Sequence, residues 1–536
     1  MRVPLLLLGL FGPALAVWAQ GVSVSPSALQ WGTASAPITE ATAALTQSLT
    51  LTAGSRPVRV DSIKLFGAYG AGAGTLGRVF TVSQSAFTLQ PGAQQQVDFQ
   101  FVPRHNVALA STALLCGVGV NGCIAVPLLA DVTYRKGYYA TTRGLWGQAL
   151  FDALRTRVRA NYTDLGYNGA RDRMFMNVDN KRTNGQGATT NTLECIYTGR
   201  LTTGYTSRSQ AQNDNFNTEH TYPQNFFNSA QPMMSDLHHL FPTDNDANNR
   251  RASFPFDTVA GNPTWQQGGS KLGSQAGRTV FEPRAQQKGR TARAMCYFVV
   301  RHQDYSNFFA GQEAVLRRWA QAYPPDTTDL RRNADVQSFQ GNRNPFSDYP
   351  QLLERIPSLT NPGQAFPTVS VARTYPPAGT LNLGDAVGFF FTTVNEGNVP
   401  VPFQLPAAQP GLSIEVVGGL APTIPVGGAV SFKVLPLPNA TAGSYTFTPT
   451  GGTSVTLTLA DPNSTRPGWE RMPLVLQPNP TSTTFGTNLA GPLTVFNLLG
   501  NPVLTGRAEA QTDVSALPPG LYMVRVGRQM ARLLVR

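Results

Sequence analysis

The spacing of apolar residues along this chain changes from one period to another and back again, and no single-core fold accommodates both changes. Up to about residue 133, apolar and polar positions alternate, as in "VSVSPSALQWG", "QSLTLTAG" and "QQQVDFQFVP". A period of two marks strands with one buried face. Clusters such as "AGSRP", "AYGAGAG" and "LQPGAQ" separate these runs and read as turns. Near Tyr138 the period lengthens. Leu145, Leu150, Ala153, Leu154 and Val158 recur at helical intervals in "LWGQALFDALRTRVRANY", and "TARAMCYFVVRHQDYSNFF" and "QEAVLRRWAQAY" read as further helices. Alternation returns from Pro367 to about Leu459, in "AVGFFFTTVNEGNVPV" and "GSYTFTPTGGTSVTLTLA", and again in the tail.

These changes predict a multidomain chain. Residues 1–19 are expected to be a signal peptide, 20–134 an immunoglobulin-like β-sandwich, and 135–362 a mostly helical, loop-rich domain. A second immunoglobulin-like sandwich is expected over 366–461 and a small all-β module over 472–536, joined through the linker "DPNSTRPGWERMP". The "LQPGAQQQVDFQFVP" pattern resembles a family of bacterial β-sandwich modules. The composition agrees: charged residues make up only 13%, while Gly (51) and Pro (41) are frequent, which favours short strands and turns. His105 stands alone in "PRHN" and reads as a surface-loop residue.

The first residues have the three parts of a secretory signal. Arg2 supplies positive charge, Leu5 to Leu8 with Leu10 and Phe11 the apolar centre, and Val17-Trp18-Ala19 a cleavage site before Gln20. No internal apolar run approaches the roughly 20 residues of a transmembrane helix. Export permits disulfides. Cys116 and Cys123 flank the turn-like "GVGVNG" and suit a local bridge; by elimination Cys195 and Cys296 form the second pair, with two independent buried thiols as the alternative.

The net charge is +12, and residues 135–360 hold most of the excess, with 27 Lys and Arg against 19 Asp and Glu. Such an excess suits a polyanion such as nucleic acid or an acidic glycan, although an ordinary solubilising surface carries it equally well.

One stretch, "NTEHTYPQNFFNSAQPMMSDLHHLFPTDNDANNRR" (217–251), holds three of the five histidines together with Glu219, Asp236, Asp244, Asp246 and Asn248. Phosphodiester hydrolysis needs a base for the attacking water, neutralisation of the phosphate and support for the departing oxygen. A neutral His supplies the first, and a hard divalent cation on oxygen ligands supplies the other two. Glu219 and His220 are adjacent, so on a strand their side chains diverge and flank a phosphate. "TDNDANNRRAS" reads as a helix start with Thr243 or Asp244 as N-cap. Asn248 and Arg251, three apart, then share one helical face.

The same stretch resembles the endonuclease I family of periplasmic and secreted nucleases, whose core is the ββα-metal (His-Me) finger. The matching motifs are Glu219-His220-Thr221-Tyr222-Pro223, Asp236-Leu237-His238-His239-Leu240, and Pro242 through Asn248 to Arg251. Glu282-Pro283, Lys288-Gly289 and Ala292-Arg293 follow, and "YTGR" at Tyr197 to Arg200 resembles a segment upstream. The resemblance covers roughly 138–310 and implies an α+β nuclease domain. It implies His220 as general base and Glu219 and Asn248 as ligands of Mg2+, with Mn2+ able to substitute. Arg251 would contact phosphate, as would Arg293. Asp236, His238 and His239 would build the finger, and Glu282 would stand behind the metal's direct ligands. Zinc is the less favoured cofactor, because closed zinc sites carry more Cys or His. The chain departs from the family in carrying Thr218 where Arg is frequent and Asn225 where Ser is frequent, which bears on substrate positioning.

The tail resembles the C-terminal sorting domain of type IX secretion substrates. The matching residues are Pro478-Asn479-Pro480, Val495-Phe496-Asn497 with Gly500, Asp513-Val514-Ser515 with Leu517, and Gly520-Leu521-Tyr522. This implies recognition by the type IX secretion machinery of a Gram-negative bacterium and release to, or attachment at, the cell surface. The expected protein is a secreted, metal-dependent, sequence-nonspecific endonuclease acting on DNA or RNA. The alternative is a cell-surface adhesion or binding protein with an inactive nuclease-like domain.

Overall fold

The computed structural model describes residues 22–536 apart from 41–42, 67–78, 119–121, 136, 385–387, 418–421, 462–473, 509–510 and 528. The signal-peptide expectation and most of the "DPNSTRPGWERMP" linker therefore lie outside the described residues.

In the N-terminal region two sheets share one core. The strands Val22–Ser25, Leu45–Ala53, Gln94–Phe101 and Phe80–Val82 form the first sheet in that spatial order. The second is built on the long antiparallel pair Ala108–Val118 and Gly122–Thr133. Alternation accounts for the closure: in "QQQVDFQF", Val97, Phe99 and Phe101 point inward to meet Leu49, Leu51, Leu115 and Leu128, while the glutamines stay outside. Cys116 and Cys123 are opposite each other on the long pair and are disulfide-bonded, as expected from their spacing. The region from 372 to 460 repeats this logic around Phe391, Phe432, Val434, Leu457 and Leu459. The tail has its own smaller core of Phe485, Val495, Val524 and Leu533.

The middle region packs around the helices α1 (Gly147–Arg159), α2 (Gly166–Arg173), α3 (Arg208–Asn213), α4 (Asn245–Arg251), α5 (Ala285–Arg301), α6 (Glu313–Ala322) and α7 (Thr327–Gln340). Helix α5 runs through the core, with Ala292 and Ala294 to Val300 buried. A helix apolar all round is a buried helix, and this run of the sequence is apolar on every face.

Two expectations for this region need correction. Residues 260–282, within the domain expected to be mostly helical and loop-rich, form a three-stranded antiparallel meander of Ala260–Gln267, Ser270–Gln275 and Arg278–Glu282. Its first strand is mostly polar and solvent-facing, and the third is buried only at its end, Val280 to Glu282, so alternation gives no signal there; the visible cues are the turns at Gly268-Gly269 and Ala276-Gly277, all at positive φ. A Cβ on Gly268 would meet the Thr198 carbonyl oxygen at 2.0 Å, so glycine permits the meander to lie against the Tyr197–Arg200 segment. The second correction concerns Cys195 and Cys296, which are not bonded to each other. Both are buried free thiols. Cys195 Sγ instead accepts the backbone N–H groups of Thr198 (3.4 Å) and Asp244 (3.2 Å).

The N-terminal sandwich is joined to the middle region by buried polar contacts. Arg355 is fully buried and donates to Asn106 and to the carbonyls of Thr142 and Leu145 (2.6 Å each), while Tyr134 stacks on Tyr349 with centroids 3.8 Å apart. His105 is buried against Glu354 at this junction, and is not the surface-loop residue expected. No helix among the described residues is long and apolar enough to cross a membrane.

Candidate active site

The crowded stretch folds as strand, strand, helix. Phe216–His220 pairs antiparallel with Leu240–Asp244, placing Glu219 opposite Phe241 and His220 opposite Leu240, and α4 follows at once. Asp244 caps that helix, as expected: its Oδ1 accepts the Ala247 N–H at 2.8 Å. Its other oxygen accepts from the Thr198 hydroxyl at 2.7 Å, tying the helix start to the "YTGR" segment.

Glu219 is only 3% exposed. One of its oxygens, Oε1, accepts the Tyr197 hydroxyl at 2.7 Å and lies 3.0 Å from Arg251 Nε. Burial raises the pKa of the Glu219 carboxyl against the opposing pull of Arg251 and the Tyr197 hydrogen bond. Arg251, on α4, has no exposed surface. Its Nη1 donates to the Ala252 carbonyl (2.7 Å) and its Nη2 to the Thr221 carbonyl (2.6 Å), and the guanidinium lies over the Phe256 ring. The phosphate contact expected of Arg251 is therefore replaced by a buried pairing with Glu219: the cation is needed to offset a carboxylate that has lost its water. Asn248 lies one helical turn earlier on the same face of α4, which packs on the Glu219 strand. It is half-buried, and its amide makes no hydrogen bond among the described residues.

His220 projects to the other side of the strand and is 6% exposed. Its Nε2 lies 3.2 Å from the Met234 carbonyl, which only accepts, so Nε2 carries the proton and Nδ1 the lone pair. Burial, with lesser effects of His239, Arg171 and Arg251, pushes its pKa down to about 3, so the ring is neutral. Tyr167 and His239 stand beside it at 5.8 and 5.5 Å between ring centroids.

The remaining expected residues brace the fold. Asp236 is fully buried and accepts from Arg301 (2.7 Å), Gln340 (2.8 Å), Tyr297 (3.0 Å) and the His238 backbone (3.2 Å), with His302 Nε2 at 3.2 Å. Burial opposes its ionisation, but the Arg301 charge and the His302 hydrogen bond hold its carboxyl well below the usual range. His238 Nε2 meets the Asn342 carbonyl (3.1 Å) and His239 Nε2 the Met233 carbonyl (2.6 Å). Glu282 accepts from Lys288 (2.5 Å) and from the Val259 N–H (2.9 Å). Arg293 pairs with Asp329 (2.6 Å) and donates to the Tyr323 carbonyl (2.7 Å). Asp236 and His238 thus face the core, and Glu282 and Arg293 contact neither Glu219 nor His220. The phosphate role expected of Arg293 does not fit a guanidinium already spent on a buried carboxylate.

Tyr197 belongs to the "YTGR" segment, and its bond to Glu219 follows from tertiary packing that no local pattern reveals. Residues 147–351 match the Endonuclease I family. Related proteins include the extracellular ribonuclease of Bacillus amyloliquefaciens, 28% identical over 246 residues that make up 41% of this chain and 77% of that protein. An extracellular deoxyribonuclease of Aeromonas hydrophila is 34% identical over 115 residues, 21% of this chain and 49% of that protein. A periplasmic deoxyribonuclease of the same organism is 31% identical over 114 residues, 21% of this chain and 47% of that protein. The chain spans about half the length of these two deoxyribonucleases. The endonuclease I match contains every residue discussed at this site.

Proposed function

We propose that the chain is a secreted, sequence-nonspecific endonuclease that hydrolyses phosphodiester bonds of DNA, and of RNA by the same chemistry. The observation that carries this reading is the end of the Phe216–His220 strand. There Glu219 turns toward Tyr197 and Arg251, and His220 turns toward the Met234 carbonyl with its Nδ1 lone pair left for a proton.

A magnesium-type cation fits the donors present. Tyr197 and Arg251 hold Glu219 through Oε1, which leaves Oε2 for a ligand, and Asn248 offers an amide oxygen. Two protein oxygens with water and phosphate completing the shell suit Mg2+, and Mn2+ accepts the same donors. Zinc is the less favoured cation, because closed zinc sites carry more Cys or His than Glu219 and Asn248 offer. When bound, the cation neutralises phosphate charge and supports the departing oxygen.

The chain's own residues supply the rest. His220 Nδ1 takes the proton of the attacking water, and the Met234 carbonyl fixes the ring and stabilises the imidazolium as it forms. Arg251 and Tyr197 orient Glu219. Contacts to backbone phosphate carry no sequence information, so specificity is low, and the net charge of +12 favours a polyanion. The ribonuclease and deoxyribonucleases among the relatives support both substrates. The immunoglobulin-like modules hold the catalytic ββα-metal domain at the cell exterior. The 472–536 module addresses the chain to the type IX machinery of a Gram-negative cell.

The test is nicking of supercoiled plasmid and cleavage of RNA with added magnesium, in wild type and His220→Ala. The reading expects cleavage that His220→Ala lowers by a hundredfold or more. Equal rates would discard the base, and no cleavage by wild type would favour a binding protein with an inactive domain.

A further inference from the structure

Arg171 is a half-buried cation with no carboxylate at ion-pair distance among the described residues, on the side of the strand that carries His220. It lies on α2, and its Nε donates to Thr218 Oγ1 at 3.3 Å. Thr218 and His220 are two apart on one strand and share a face. The Tyr167 ring joins them, 4.7 Å from the Arg171 guanidinium and 5.8 Å from the His220 ring. Helix α2 also packs on the turn that supplies the Met234 carbonyl to His220.

The other arginines near this centre are already committed. Arg251 pairs with Glu219, Arg301 with Asp236, and Arg293 with Asp329. The carboxylate next to Arg171 in sequence, Asp172, pairs with Arg208 at 2.7 Å. Among the described residues no carboxylate pairs with Arg171; its guanidinium lies over the Tyr167 ring and bonds Thr218 through Nε, and neither Nη atom makes a hydrogen bond to protein. A guanidinium drawn partly out of water and given no counter-ion is held at a cost, which a phosphate offsets by accepting from the paired N–H groups.

We propose that Arg171 is the substrate-binding arginine of this site, contacting a backbone phosphate of the nucleic acid with its two Nη groups beside the water that His220 activates. This rests on the nuclease reading of the same site. It places the phosphate contact, expected on Arg251, on a helix about 80 residues earlier in the chain.

The test uses the full chain carrying His220→Ala, so that substrate survives, and a fluorescein-labelled DNA duplex followed by anisotropy over a salt series in EDTA. Adding Arg171→Met should weaken binding roughly tenfold, as expected for loss of a charge-assisted contact. It should also lower the salt slope by about 0.9, the value for one phosphate contact on duplex DNA. Arg171→Lys should restore the slope but only part of the affinity, because an ammonium lacks the fork. Arg173→Met, which removes an exposed arginine lying over Phe339, should change neither. Circular dichroism of each variant checks folding. Unchanged affinity and slope in Arg171→Met, or an equal loss in Arg173→Met, would overturn the assignment while plasmid nicking by the wild type still upheld the nuclease reading. Absence of nicking by the wild type would overturn that reading instead.

Discussion

Arg251 Nε lies 3.0 Å from Glu219 Oε1, and both side chains are buried. The proposed metal-binding carboxylate is thus held by a cation from the very helix that supplies Asn248. Removing one partner strands a buried charge, which costs about 3–5 kcal/mol, whereas removing both costs less. Urea unfolding of Arg251→Met, Glu219→Gln and the double variant should show this non-additivity. Additive losses would show that the pair is not coupled.

Tyr197→Phe removes one hydrogen bond to Glu219 and leaves Arg251 in place. Stability should fall by about 1–2 kcal/mol, and the magnesium concentration for half-maximal cleavage should rise several-fold as the carboxylate loses its fixed orientation. A stability loss with an unchanged magnesium dependence would limit Tyr197 to a structural role.

Asp236 governs acid stability. Its folded pKa lies well below the ordinary aspartate value, so the unfolded chain takes up the proton first as pH falls. Its contribution is fully present above about pH 4, the unfolded value, and is lost progressively below that. Asp236→Asn should destabilise the chain by about 3–5 kcal/mol at neutral pH, since Arg301 loses its counter-charge. It should also flatten the acid limb of a melting-temperature profile against pH. An unaltered acid limb would assign that limb to other carboxylates.

Ala252 ends α4 at φ 48° and ψ −124°, a conformation that turns its carbonyl back to accept from Arg251. Backbone strain of this kind costs on the order of 1–3 kcal/mol in a residue with a Cβ. Ala252→Gly should therefore raise the midpoint of urea unfolding, and a lower midpoint would show that the turn is held without strain.

The parts of this fold that were legible in the sequence follow from periodicity and local chemistry. Gln94–Phe101 alternates because one face meets a core, and α1 shows its buried stripe because the opposite face meets water. Asp244 was readable as a cap, and Glu219 and His220 as diverging neighbours, because both are local consequences of backbone geometry. Long-range relationships were not legible. Nothing in "NNRR" tells that Arg251 is sealed against Glu219 while Arg250 is exposed, since that depends on Phe256 and Thr221 closing over it. The Met234 carbonyl that sets the His220 tautomer belongs to the backbone, and residue identity does not reveal it. Elimination paired Cys195 with Cys296, whereas both thiols are buried separately in the core.

The division of labour between Glu219 and His220 is tested most directly by Mn2+ binding, followed by electron paramagnetic resonance, alongside plasmid nicking in Glu219→Gln and His220→Ala. The account predicts that Glu219→Gln loses both cation affinity and cleavage, while His220→Ala binds Mn2+ as the wild type does and fails to cleave. Cation affinity lost in His220→Ala, or retained in Glu219→Gln, would contradict it.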